Sequence, residues 1–229
     1  MEDKIKQIIM DLGADVIGIG GIDRFANAPK GFSPTDLYPD CKSVISFGVA
    51  LSKGLLIVEP RLIYAHFNED VCIKVDEIAL KAAKEIEKLS GGICVPIPCD
   101  APNEYWDTEN LTAKGLISMK HTAVLCGLGQ LGKSTLLLNP QYGNRLILGA
   151  ILTNIELESD PFSENICIPG CNKCMNSCPV HAIGETSVNQ KLCRPHTYGK
   201  TKRGFATVDC NTCRYVCPVK AGIDGYEPI

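Results

Sequence analysis

Two stretches of this chain carry residues that could do chemistry at a repeated spacing. Cys171-Asn-Lys-Cys174-Met-Asn-Ser-Cys178-Pro179-Val180 returns near the C-terminus as Cys210-Asn-Thr-Cys213-Arg-Tyr-Val-Cys217-Pro218-Val219. Each is C-x2-C-x3-C closed by proline, the spacing with which thiolates hold four-iron four-sulfur clusters. In such a run the last cysteine serves the other cluster of a pair, so two runs imply two cross-laced clusters. Each run lacks one ligand, because Ile168 and Thr207 stand where a fourth cysteine would fall. Cys167 and Cys193 lie upstream as replacements. The count then closes with Cys167, Cys171, Cys174 and Cys217 for one cluster and Cys193, Cys210, Cys213 and Cys178 for the other. Proline after the last cysteine fixes its own φ and offers no N–H where the chain must cross over.

Zinc is the rival reading, but it comes as two C-x2-4-C pairs, whereas the x3 spacing followed by Pro is the iron–sulfur form. Disulfides fit less well. The chain begins Met-Glu-Asp-Lys with no basic-flanked apolar leader, so a cytoplasmic location is expected, where structural disulfides are rare. On that reading the thirteen cysteines serve metal.

The elements that must position these ligands follow from composition and period. With 229 residues and 45% apolar content the chain can bury a normal globular core. Its apolar runs, such as 146–152, fall far short of the roughly 20 residues a bilayer requires. A net charge of −3 gives no general drive toward nucleic acid, and the basic patch at 200–203 reads as a solvated loop. Ile5, Ile8, Ile9 and Leu12 share one face of a helix over 2–12 that Gly13 ends, and 14–20 is a short buried strand. Residues 21–40 read as a long site-shaping loop and 43–51 as a strand. A long helix over 61–89, interrupted near Asn68-Glu-Asp, closes at Gly91-Gly92, and 93–97 is the next strand. Residues 98–110 form a polar loop with Tyr105 and the only tryptophan, Trp106. Helices alternating with apolar strands predict an α/β layer fold over 1–160, followed by a ferredoxin-like double-cluster domain over 161–229.

Gly127-Leu-Gly129-Gln-Leu-Gly132-Lys133-Ser134 matches both the phosphate-loop and the dinucleotide patterns. Both mechanisms need a strand before the loop and a sustained helix after it. Only 135–139 precede Pro140, too few for that helix, so nucleotide hydrolysis is not expected. What remains is a backbone loop open to a large ligand, with Lys133 and Ser134 available to an anionic group, or a tight turn between packed elements.

The run Cys126-Gly-Leu-Gly-Gln-Leu-Gly-Lys-Ser-Thr-Leu-Leu-Leu-Asn-Pro-Gln-Tyr-Gly-Asn-Arg, then Leu-Gly-Ala-Ile-Leu-Thr-Asn-Ile-Glu-Leu-Glu-Ser-Asp, then the double cysteine runs, resembles the epoxyqueuosine reductases and their reductive-dehalogenase relatives. The resemblance spans about residues 120–220 well and the N-terminal third weakly, through Leu-Gly-Ala-Asp-Val-Ile-Gly-Ile and Cys-Lys-Ser-Val-Ile-Ser-Phe. It implies an α/β core binding cobalamin beside two four-iron four-sulfur clusters that feed cobalt with electrons. It also puts Gly127, Leu128, Gly129, Gly132, Lys133 and Ser134 at the cofactor. The family's Asp-x-x-Pro-x-x-Glu proton-donor stretch is missing, since Ala113 and Lys114 stand there. Asp100, Asp107, Glu109 and His121 are the replacements in range, and Tyr105 is another, because the dehalogenases use a tyrosine. The x3 spacing after Cys167 departs from the family's x2.

These readings converge on an oxidoreductase that passes low-potential electrons through two clusters to a cobalamin-type cofactor for reduction of a small molecule. A ferredoxin or flavodoxin is the expected donor, and a homodimer is compatible. The tRNA-modifying members carry a C-terminal helical-repeat domain and this chain stops at Ile229, so a tRNA substrate is not expected. The alternative is a ferredoxin-like electron carrier or corrinoid-reducing partner without a substrate site.

Overall fold

The computed structural model describes residues 1–99 and 103–224. Its core is a four-stranded antiparallel sheet in the order β1-β2-β8-β3, formed by β1 (Val16–Gly21), β2 (Ser43–Ala50), β3 (Cys94–Ile97) and β8 (Leu146–Thr153). Period-two alternation sends Ile45, Phe47 and Val49 of β2 to one face, and Val44 and Ala50 to the other. β8 repeats this, with Ile147 and Ile151 opposite Leu148 and Leu152. Both faces are therefore apolar and both are covered. Gly149 of β8 makes room for Phe47, since a Cβ there would overlap the phenyl ring. Phe47 is fully buried, and truncating it to Ala would cost about 3–5 kcal/mol.

One face is covered by α1 (Glu2–Asp11), through Ile5 and Ile9, and by α3 (Arg61–Ser90), through Val75, Ile78, Ala79, Ala82, Ala83 and Ile86. The expected break in α3 does not occur. His66 reaches Asp70 (3.6 Å) and Asn68 reaches Cys72 (3.8 Å), so i,i+4 side-chain contacts bridge the polar step. Gly91 ends the helix at φ +70°, where glycine carries no Cβ penalty.

The expected loop over 21–40 contains the single turn of α2 (Pro34–Leu37). Ser33 and Asp36 form a reciprocal cap there, with Asp36 accepting from the Ser33 amide (3.0 Å). The polar loop after β3 likewise holds a hairpin, β4 (Tyr105–Asp107) paired with β5 (Thr112–Lys114). On the second sheet face lies α4 (Met119–Leu125), followed by the short strands β6 (Gln130–Leu131) and β7 (Leu137–Leu138).

The remaining elements are α5 (Lys173–Asn176), α6 (Gln190–Thr197), β9 (Tyr198–Lys200), β10 (Ala206–Val208) and α7 (Thr212–Tyr215). They dock on the core at several points. Arg61 of α3 pairs with Asp209 (3.3 Å), the Ile223 amide bonds the Pro140 carbonyl (2.7 Å), and Asn144 bonds Lys220 and Arg214. Asp160 is itself bound into the core, its carboxylate taking the Ile19 amide (2.8 Å) and Lys6. Among the described residues no helix is long and apolar enough to cross a membrane.

Candidate metal centre

The sequence repeat is a backbone repeat. α5 and α7 are one-turn helices that pack on each other and carry the middle cysteines, Cys174 and Cys213. Each starts at an asparagine in nearly the same conformation, Asn172 at φ −127°, ψ 19° and Asn211 at φ −134°, ψ 25°. That pairing brings the end of one run to the start of the other.

Cys167, Cys171 and Cys174 line one cavity together with Cys217 from the second run. Cys178, at the end of the first run, is buried with Ala182 and Ile183 in a cluster against which Cys174, Cys193 and Cys213 pack, and Cys193 and Cys210 stand close enough to Cys213 to act on its charge. Among the described residues no three His, Cys, Asp or Glu side chains close on a single point as ligands of one ion would. The first four cysteines stand around open space instead, an arrangement suited to a polynuclear cluster.

The surroundings favour thiolates and sulfide. Cys178 Sγ accepts from the Ala182 amide (3.3 Å), and Thr197 and Thr212 hydroxyls lie 3.4 Å from Cys193 and Cys210. Burial pushes the thiols of Cys213 and Cys217 up to about 11 and that of Cys174 upward, so metal must displace their protons. Asn211 Nδ2 and Arg214 Nη1 are buried donors without a hydrogen-bond partner. Buried donors of that kind are satisfied in nearly all native structures, and the sulfide of a bound cluster would offer them an acceptor. The residues present fit two clusters.

The glycine loop is a turn between packed elements, one of the two forms expected of it. It runs from a helix into a hairpin, with β6 and β7 joined by a turn at 132–135, the reverse of the strand–loop–helix order that cradles phosphate. The amides of Gly127, Leu128 and Gly132 donate to Val124, Ala123 and Leu136, so they are not open to a ligand. Gly127 and Gly129 are small for packing reasons, because a Cβ would overlap the carbonyl oxygens of Pro161 and Leu138. Ser134 is buried. Lys133 donates to the Cys171 carbonyl (2.9 Å) and to Asn172 Oδ1 (2.7 Å), tying the loop to the first cysteine run. Gly132, Lys133 and Ser134 form part of the wall of the cysteine cavity.

The expected proton donors are scattered. Asp100 lies outside the described residues. Asp107 accepts from the Glu109 and Asn110 amides and from the Asn110 side chain, which hold its carboxyl below the usual range and keep it ionised at neutral pH. Tyr105 stacks at 5.4 Å on Phe32, and His121 Nδ1 lies 2.7 Å from Ser118 Oγ at the start of α4. The reading of all thirteen cysteines as metal ligands is corrected. Cys41, Cys94, Cys99 and Cys126 are buried in the core, and Cys72 packs against it. Cys126 donates to the Val44 carbonyl (3.3 Å), and burial pushes its thiol up to about 12.

The fold is that of the epoxyqueuosine reductases and reductive dehalogenases. The chain superposes along 97% of its length, at a TM-score of 0.71 and 17% identity, on 32% of a reductive dehalogenase solved in a study of B12-dependent dehalogenation. All of it superposes, at a TM-score of 0.63 and 18% identity, on 66% of an epoxyqueuosine reductase solved with a tRNA-Tyr epoxyqueuosine-modified stem loop. In sequence it is 32% identical over 126 residues to the epoxyqueuosine reductase of Listeria monocytogenes, a match covering 51% of this chain and 33% of that protein. The chain thus spans about a third of the length of that curated relative. No family model matches the chain. The resemblance to the epoxyqueuosine reductase and reductive-dehalogenase family is borne out.

One expectation is overturned. A small molecule in place of tRNA was expected from the chain's length beyond the cysteine runs, yet the tRNA-bound relative matches this chain from end to end. Length does not decide the substrate.

Proposed function

We propose that this chain is an iron–sulfur oxidoreductase that passes single electrons through two four-iron four-sulfur clusters toward a corrinoid, and that its substrate is a modified nucleoside carried on RNA. The observation that supports it is the position of Cys217, which belongs to the second run by sequence and lines the cavity of the first. Two clusters laced in this way would be held side by side by the paired α5 and α7, as electron transfer requires. The clusters supply the one-electron chemistry. The chain supplies the eight thiolates, the Thr197 and Thr212 hydroxyls and the Ala182 amide that stabilise them, and Lys133, which braces the Cys171 turn.

The corrinoid and the RNA come from the relatives, and no step is routed through either. Titration of the anaerobically reconstituted protein with cob(II)alamin, followed by visible and EPR spectra, tests the acceptor. A saturable spectral change is expected. A protein that holds its clusters and leaves the cob(II)alamin spectrum unchanged is an electron carrier instead.

A further inference from the structure

Residues 190–208 contain five Lys or Arg and no Asp or Glu, in a chain whose net charge is −3. The segment is α6 with the β9–β10 hairpin, and it presents large rings to solvent, Tyr198 at 56% and Phe205 at 60% exposure. Trp106, at 49% exposure, joins them from β4. The joint is built, because Gln190 and Ala113 exchange two hydrogen bonds (3.0 and 3.4 Å) that fix the β4–β5 hairpin to α6. Between the two elements the Arg194 guanidinium stands 5.0 Å from the Trp106 ring and 5.2 Å from the Tyr198 ring. Arg203 lies 5.9 Å from the Phe205 ring at the neighbouring turn.

We propose that this face is a platform for the unpaired bases of an RNA loop, an inference that rests on the RNA-borne substrate proposed above. Unstacked bases lie on aromatic rings and guanidinium planes, and Lys and Arg around them meet the phosphates. Trp106, Arg194 and Tyr198 stand together with Lys200 in phase with Tyr198 on β9, whereas strand alternation sends Phe205 to the other side of the β9–β10 ribbon. A duplex would use the charge and leave the rings idle, whereas a loop uses both. An acidic protein partner would not need two exposed rings flanking a guanidinium. Of the nearby acids, Asp107 is folded into its own turn and Asp209 is paired with Arg61, while Glu104 and Glu109 stand exposed on the hairpin segment that carries Trp106.

The test is fluorescence anisotropy of the reconstituted protein with a short RNA stem-loop and a blunt RNA duplex of equal length, over a range of salt. Arg194 adjoins Cys193, so the variants avoid it. Trp106→Ala should weaken stem-loop binding about tenfold and leave duplex binding unchanged, in keeping with the loss of one stacked base. Lys202→Ala with Arg203→Ala should weaken both and flatten the salt slope by about 1–2. Iron content and the cluster EPR signal must match the parent for either result to count. Stem-loop binding that survives both variants keeps the RNA reading and overturns this face. No stem-loop binding by the parent overturns both, while the cob(II)alamin titration still judges the redox reading alone.

Discussion

Replacing Arg214 by Met should lower the potential of the cluster held by Cys193, Cys210 and Cys213. Arg214 sits on α7 beside Cys213 and draws that thiol's titration downward against its burial. Its Nη1 is buried without a partner. At the equivalent position of the first run stands Met175, and there Asn172 is occupied by Lys133, so the substitution copies one half of the repeat into the other. A donor aimed at a cluster favours the reduced, more negative state and raises the potential, and its removal lowers it. Hydrogen bonds to charged groups contribute about 1.5–3 kcal/mol. With about 59 mV per tenfold change for one electron, the lower end of that range gives a fall of roughly 60 mV. EPR-monitored redox titration of parent and variant resolves a shift of that size. The other cluster should hold its potential. Equal potentials before and after, with full iron content, would refute the assignment of Arg214 as a donor to that cluster.

Three more expectations follow from the same geometry. Cys217→Ala should damage the cluster of Cys167, Cys171 and Cys174, and Cys178→Ala that of Cys193, Cys210 and Cys213; EPR that shows loss within the mutated run instead contradicts the lacing. Gly129→Ala drives a methyl into the Leu138 carbonyl and should cost about 1–3 kcal/mol of stability, so thermal unfolding at the parent temperature would show that the hairpin packs otherwise. Cys126, with its thiol pushed up to about 12, stays protonated at neutral and mildly alkaline pH and gains a thiolate only well above them; iodoacetamide should modify it only after unfolding, and labelling in the native state at the rate of an exposed cysteine counts against that burial.

Much of the candidate site was legible because it is local. C-x2-C-x3-C-P fixes two one-turn helices, and the ferredoxin pattern in which the last cysteine serves the other cluster is what Cys217 reflects by lining the cavity of the first run. The main strands and α3 were legible from period and from glycines at their ends. What stayed hidden depends on contacts far apart in sequence. Gly127 and Gly129 look like a ligand loop until Pro161 and Leu138 fill the space beside them. Lys133 looks free until Cys171 and Asn172 come within 2.9 Å. The hairpin of Tyr105 to Lys114 carries too few apolar residues to announce itself, and it is held by Gln190, Arg194 and Phe32 from distant parts of the chain. Cysteine is a small apolar residue as well as a ligand, which is why five of the thirteen belong to the core.

The most direct measurement is iron and sulfide analysis of the anaerobically reconstituted protein, with the EPR spectrum recorded as it is reduced stepwise. Eight cysteines in two interlaced sets predict close to eight irons and eight sulfides per chain, at about four of each per cluster. They also predict a signal that broadens as the second cluster takes its electron beside the first. A colourless preparation that binds stoichiometric zinc, or one cluster with no second set of iron, would contradict the account.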